Sequence, residues 1–521
     1  MRKEFQIQRL EGMAAGMVHV LGIIIFALLC VTSLIFTRFF PAGYDPEIPY
    51  NQIDFFLVTL LGAVILAVLA LWLGCFLTRK EEKAERNLRL LLSVVLLWIL
   101  AAGILWIWWS KSTPVSDQYM TYTSAQRFLE GNYGRLEYGK YLYYYPFQLG
   151  LTAWESVVLG IFGAENYQAL QVVNVLCSVL CVYAGYRITR LLSEKRQAAA
   201  AYLLFMACCF PLIIYNVYVY NDIPSLALCM TALWQFLRYM RRKKVSGAVL
   251  MVLSLSVAVV LRNNSLIVMI AVLCVLAVKG TACRRWQYFC CAAVLLVCCL
   301  GSGTVLKQYY ERKSGIPVND GMPSILWIAM GMQEGDKEAG WYNGYSIYVY
   351  QDMCSYNSGT AGDLGLAEVK NRAKEFLGDP AYALDFYFRK FTSQWTEPTY
   401  GCFIMTYATD NERSAFGESL YTGLPNRILQ KMMDSYQLLI YSLVLFLLIY
   451  TKRKKKKMDL EWYVLLIAVI GGVLFHELWE AKSRYVFPYF IMMIPLAAEG
   501  LGLLSGCLGK RRTKDEASES G

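Results

Sequence analysis

Four places in the sequence set ionisable side chains at the edges of apolar runs: Asp117 in "SDQ", Asp222 in "YNDIPS", Arg262 in "LRNNS", and the stretch "HELWEAKSR" at 476–484. An ionisable group at membrane depth is costly to keep, so each is a candidate for function. Lys482 and Arg484 suit a phosphate, Arg484 through its planar fork and Lys482 as a point charge. Glu477 and Glu480 are three apart, and Glu480 and Arg484 four apart, so they share a face if one helix runs through them. An ion pair inside that helix is then the plain alternative for Glu480. Asp222 has its own alternative: it stands before Ile223–Pro224, where an aspartate caps a helix and proline fits the first turn. Any one of the four could simply end a helix in water. The chain holds only two histidines, His19 and His476, and no CxxC pair, so neither a histidine metal site nor a zinc or redox site is expected.

The elements that position these residues are read from hydropathy. Of the 521 residues 57% are hydrophobic, the mean hydropathy is +0.39, and only 17% are charged, against about 25% in soluble proteins. The reading is an all-α polytopic membrane protein of about twelve transmembrane helices. They centre near 12–36, 54–77, 88–109, 166–188, 198–217, 223–239, 246–261, 264–279, 285–306, 435–450, 460–477 and 486–505. The spans at 246–261 and 264–279 are the shortest and could form one hairpin. The net charge of +11 is gathered in short basic loops between alternate spans, such as "TRKEEKAERNLR", "RYMRRKKVSG" and "TKRKKKK". Such loops stay cytoplasmic, which predicts both termini inside. The basic runs set topology and meet anionic lipid heads; no nucleic-acid partner is expected.

Alternation then leaves two large outer segments, 110–165 and 307–434, and brings all four polar places to the outer face. Distant segments at one depth fit the lining of a single cavity. The domain reading is two additional N-terminal helices (1–87), a core with the first outer loop (88–306), an extracytoplasmic loop domain of mixed character (307–434), C-terminal helices (435–505) and a charged tail (506–521). The first apolar run is too long for a signal core and is kept as a helix. In the first outer loop, 116–131 reads as a short amphipathic surface helix, and 141–163 as an interfacial or re-entrant helix with its tyrosines at headgroup depth. In the second, 367–395 reads as two short helices broken at Gly378–Pro380. Of sixteen cysteines only Cys354 and Cys402 lie in that segment, where they could pair.

Taken together, "PVSDQYMTYTSAQRFLEGNY" with "YYPFQLGL", then "YNDIPSL", "LRNNSLI" and "EAKSRYVFPYFIMMIPLAAEG", resemble the GT-C glycosyltransferases, over about 95–505. The likeness is to the bacterial branch similar to protein O-mannosyltransferases and aminoarabinose transferases. The resemblance implies a GT-C-like fold, a polyprenyl-phosphate-linked sugar donor, and Asp117 as catalytic base. Two features depart from the family pattern. Two spans precede the helix that usually opens the core, and Gln118 stands where many members carry a second acid. No cofactor and no metal are therefore expected.

The chemistry suits this layout on its own terms. A donor with a long lipid tail presents its phosphate at the bilayer surface, and an acceptor hydroxyl arrives from the water side. A carboxylate there serves as general base, and a cation stabilises the charge on the departing phosphate. Asp117 is the expected base. Arg484, Lys482 and Arg262, in that order, are expected at the phosphate, with Asp222, Glu480 and Tyr145 in the substrate site. The acceptor would be an envelope glycan, lipid or protein. A polytopic transporter, or a polysaccharide polymerase or ligase with a lipid-linked donor, is the alternative. A transporter predicts charges deep in the spans and two similar halves, which the sequence does not present.

Overall fold

Apolar segments of this length can satisfy their backbone only internally, so helices are forced. The computed structural model describes residues 2–40, 48, 50–53, 55–407, 412–455 and 458–519, with side chains described over 10–507 except at 51 among these residues. Residues 456–457 of the basic run, and the side chains of the charged tail from 508 on, lie outside the described residues.

The helices are α1 (Arg2–Ile35), α2 (Phe56–Thr78), α3 (Glu81–Ser110), α4 (Asp117–Leu129), α5 (Leu149–Phe162), α6 (Tyr167–Leu192), α7 (Arg196–Ala207), α8 (Asp222–Arg242), α9 (Val245–Leu261), α10 (Ser265–Cys283), α11 (Trp286–Ser314), α12 (Ser358–Gly378), α13 (Pro380–Trp395), α14 (Leu424–Arg453), α15 (Val464–Leu478) and α16 (Ser483–Glu519). Short turns of helix fill the loops between them. One antiparallel hairpin, β1 (Phe36–Phe39) with β2 (Tyr50–Ile53), follows α1.

The all-α polytopic architecture agrees with the sequence reading. The count is lower than about twelve. Among the described residues nine helices are long and apolar enough to span, or ten when α7 and the bent piece after it are one span. The two that fall short are α8 and α9. The charge-free part of α8 runs only from 223 to 237, and α9 has 17 residues. Helix α8 packs inside the bundle, with Ile223, Met230, Leu233 and Phe236 fully buried, whereas α9 buries one face, at Met251 and Leu255, and exposes Val249, Leu253 and Val257 on the other.

The outer-loop elements follow their local signals. Helix α3 ends at Lys111, whose N–H returns to the Ile107 carbonyl in a left-handed turn. Helix α4 occupies the stretch read as amphipathic, and α5 the stretch read as interfacial. The break read at Gly378–Pro380 is present: Asp379 caps α13 through the Tyr382 N–H at 3.0 Å, with Pro380 in its first turn. Cys354 and Cys402 are both buried free thiols in separate apolar clusters, so the pairing considered for them does not form.

The extra N-terminal segment is tied to the loop domain. Arg38 pairs with Glu338 at 2.6 Å, its N–H donates to the Thr396 carbonyl, and Phe40 packs on Trp341 with ring centroids 5.3 Å apart.

Candidate active site

Asp117 and Asp222 begin helices in the same way. Each is the first residue of its helix, where the positive end of the helix dipole favours a carboxylate. Each follows a non-glycine residue at positive φ, Ser116 at 50° and Asn221 at 60°. Backbone held in such regions collects at functional sites. The cap position before α8 is Asn221, so Asp222 is not the N-cap that its sequence context allowed.

The loop at 215–221 lies inside the protein, and its carbonyls need buried donors. Helix α6 supplies them from two amides one turn apart. Gln171 donates to the carbonyls of Ser112 (3.0 Å) and Val217 (3.3 Å), and Asn174 to those of Asn216 (3.1 Å) and Tyr218 (3.2 Å). Gln118, beside Asp117, accepts from the Tyr167 hydroxyl and the Val219 N–H, both at 3.0 Å. It is a tether, not a second catalytic acid.

So held, the loop delivers Tyr220 to Asp117. The Tyr220 hydroxyl donates to Asp117 Oδ2 at 3.0 Å and accepts from Gln148. Asp117 itself is exposed. Tyr141, buried close to both, closes no hydrogen bond of its own. Burial first, and then the Asp117 charge, hold the Tyr141 and Tyr145 phenols well above the usual range. Tyr220 is raised by burial, then by Tyr141 and Asp117. All three therefore remain O–H donors around one carboxylate. Tyr145 and Tyr342 feel both Asp117 and Glu480.

Behind Tyr220 lies Arg484. It is buried, its Nη1 donates to the Tyr218 hydroxyl, and it stacks 5.0 Å from the rings of both Tyr218 and Tyr220 and 5.3 Å from Tyr485. Its Nε has no partner. Arg262 pairs with the buried Asp222 and lies 5.7 Å from the centre of the Tyr485 ring. Neither Asp222 oxygen receives a well-directed hydrogen bond. Lys482 is half-buried and lines a narrow slot with Arg484, Trp341, Gly401 and Phe40 of the N-terminal segment.

The structure thus brings Asp117, Asp222, Arg262, Tyr145, Glu480, Lys482 and Arg484 to one end of the bundle. It corrects one expectation. Helix α15 stops at Leu478 and α16 starts at Ser483, so Glu480 and Arg484 do not share a helix face. The cause is tertiary: the Ala481 N–H donates to the Gly340 carbonyl at 2.8 Å, pulling 479–482 into a bridge beside Trp341.

Several residues of this region were not singled out from the sequence: Tyr218, Tyr220, Gln171, Asn174, Lys390 and Glu397. Two amides at a helical spacing inside an apolar span were the available signal for Gln171 and Asn174. Glu397 is buried, accepts from the N–H groups of Thr399 and Gly401, and is pushed by burial up to about 7. A separate cavity of about 310 Å³ lies at the other end of the bundle, lined by Lys195, Arg241, Asp459, Trp462 and Glu499 among others. It is remote from these residues.

A family model described as dolichyl-phosphate-mannose-protein mannosyltransferase matches residues 152–302. That stretch includes Asp222 and Arg262 and excludes Asp117 and the 476–484 cluster. No curated protein matches the chain. Among solved structures, the apo oligosaccharyltransferase of Archaeoglobus fulgidus is similar at a TM-score of 0.44 and 14% identity, over 82% of this chain and 52% of that one. The chain therefore spans about half the length of that protein. The family match agrees with the GT-C resemblance drawn from the sequence.

Proposed function

We propose that the protein is a membrane glycosyltransferase of the GT-C type that moves a sugar from a polyprenyl-phosphate donor to an acceptor outside the cytoplasm. The observation that carries the reading is the arrangement about Tyr220. Its hydroxyl is 3.0 Å from the Asp117 carboxylate, and its ring is 5.0 Å from the Arg484 guanidinium. A proton acceptor at the surface and a cation behind it are what the transfer needs. Asp117 takes the proton of the acceptor hydroxyl as that oxygen bonds to the sugar C1, and the C1–O bond to the phosphate breaks. Arg484 and Lys482 stabilise the charge left on the phosphate, with Arg262 held near by Asp222. Tyr141, Tyr145 and Tyr220, kept protonated, donate to sugar or acceptor oxygens. Both termini lie in the cytoplasm and the site faces the opposite side.

The test is made with purified protein in detergent. It should bind a polyprenyl monophosphate more tightly than the neutral polyprenol of equal length. With a polyprenyl-phosphate-linked sugar and an acceptor it should release polyprenyl phosphate. Equal affinity for the two lipids would sink the reading. Cysteine labelling near Gly335 and near Lys454 should report opposite sides of the membrane.

A further inference from the structure

Lys390 stands apart from everything above. It is fully buried, on α13 of the loop domain, and points away from water into the break between α15 and α16. Its Nζ donates to the Gly331 carbonyl at 2.5 Å and to the Glu477 carbonyl at 2.9 Å. The carboxylates of Glu477 and Glu480 both bear on it. A buried ammonium is costly unless it is paired and hydrogen-bonded. Here its partners come from three segments: the 331–341 loop, the last turn of α15, and the break itself.

Two glycines make the room. A Cβ on Gly340 would meet the Lys390 stem at 2.9 Å and the Gly331 carbonyl oxygen at 2.6 Å, and its φ of 71° disfavours any side chain. A Cβ on Gly331 would meet the Trp479 backbone at 2.6 Å. The Gly340 carbonyl in turn receives the Ala481 N–H. Lys390 therefore closes a ring of contacts, Lys390 to Gly331, Gly340, Ala481 and Glu477, around the four residues that precede α16. Those residues fix where Lys482 and Arg484 begin.

We infer that Lys390 is a positioning residue: its buried ammonium sets the path of 479–482 and so aims Lys482 and Arg484 at the donor phosphate. The inference rests on the donor reading proposed above, because it assigns Lys390 a part in phosphate recognition, not only in folding. Lys390 does not touch the substrate. Burial draws its pKa below the ordinary lysine range, opposed by Glu477 and Glu480. The charged and titratable groups facing this cluster are those two acids, His476, which feels Arg262 and Lys390, Tyr387, which feels Glu477, and Tyr145, Tyr342 and Tyr485, which feel Glu480.

The experiment compares Lys390→Met, which keeps the stem and removes the charge, with Lys390→Arg, which keeps the charge. Hydrogen exchange at Ala481 reads the path of the break without any ligand. Binding of a polyprenyl monophosphate relative to the neutral polyprenol reads phosphate recognition. Lys390→Met should lose protection at Ala481 and lose at least about tenfold of its phosphate preference, the size of one charge-assisted hydrogen bond. Its neutral-lipid binding should persist. Lys390→Arg should restore part of both. Unchanged protection at Ala481 in Lys390→Met overturns the inference. So does lost protection with phosphate preference intact, or equal loss for both lipids, which marks a merely structural role. A wild-type protein with no phosphate preference overturns the donor reading itself and the inference with it, and that arm is read separately.

Discussion

The two ends of the helical bundle differ in how much charge they bury. At the end holding Asp117, Asp222, Lys390, Glu397, Glu480 and Arg484 are all buried; Arg262 reaches Asp222 and the Glu477 carbonyl reaches Lys390 from segments far apart in sequence, while Glu397 accepts from nearby Thr399 and Gly401. At the other end, the ion pairs of Glu85 with Arg190 and Arg196 join neighbouring helix ends, with Glu85 45% and Arg190 34% exposed. There are exceptions: the Lys279–Glu461 pair is 12% and 14% exposed, and Glu499 is buried, accepting from the Trp462 indole N–H at 2.9 Å. Exposed pairs form at little cost and can be lost at little cost. Buried ones must overcome the loss of water, and this is tolerated where the arrangement serves something beyond stability. In the backbone, Ser116 and Asn221 at positive φ each directly precede a candidate acid, whereas Lys243 and Arg284 at the other end only close helices in that conformation.

The largest expected effect falls on turnover. Asp117→Asn keeps the shape of the side chain and an acceptor for the Tyr220 hydroxyl but removes the base. Transfer from a polyprenyl-phosphate-linked sugar should fall about 10²–10⁴-fold, with melting temperature and lipid binding near wild type, since Asp117 is exposed. Wild-type turnover would remove Asp117 from the mechanism. Next is Arg262→Ala, which leaves Asp222 buried without its partner. A loss of about 3–5 kcal/mol in stability is expected, read by denaturation in detergent. Arg262→Ala with Asp222→Asn should recover part of it. No recovery would mean the pair is not what matters at this end.

How far the sequence carried these conclusions differs by residue. Asp117, Asp222 and Arg262 were legible because a charge beside an apolar run shows in composition alone. The alternation of basic loops was enough to gather them at one end. Their partners were not legible, since Tyr218 and Tyr220 are two of 37 tyrosines and nothing local distinguishes them. The break at 479–482 was invisible for another reason. "LWEAKS" carries no glycine or proline, and the helix stops because Gly340, from a distant loop, takes the Ala481 N–H. Helices α8 and α9 were counted as spans because their interiors are apolar and the alternating basic loops call for them, but their charge-free stretches are short, 223–237 and 245–261. Lys390 passed unnoticed inside "FYFRKFTSQW", where one lysine on an amphipathic helix reads as surface.

A smaller effect sharpens the comparison through pH. Burial raises the Glu397 carboxyl from 4.5 to about 7, so the folded chain holds this proton more tightly than the unfolded chain. The stability it contributes is whole below pH 4.5 and is lost as pH rises through about 7. Glu397→Gln should abolish that part of the pH dependence. Between about pH 5 and pH 8 the wild type should lose of the order of 2–3 kcal/mol relative to the variant. Parallel melting curves for the two proteins across this range would show that Glu397 is ionised without penalty, and the contrast between the ends would weaken.

The smallest effect is expected at the far end, and it is the control on which the comparison depends. Glu85 accepts both Nη groups of Arg190 at 3.1 Å and Nε of Arg196 at 3.3 Å, which is as many charge-assisted contacts as any carboxylate at the site end receives. Counting contacts would therefore rank Glu85→Gln beside Arg262→Ala. Exposure ranks it far lower. Water already solvates these groups, so the variant exchanges one well-solvated arrangement for another, and the glutamine still accepts a hydrogen bond. The expected change is below about 1 kcal/mol, and it should shrink further as salt screens the pair. Melting temperatures of wild type and Glu85→Gln at low and high ionic strength measure both. A salt-independent loss as large as that of Arg262→Ala would mean that both ends hold their charges equally tightly, and burial would then no longer mark the Asp117 end as the working one.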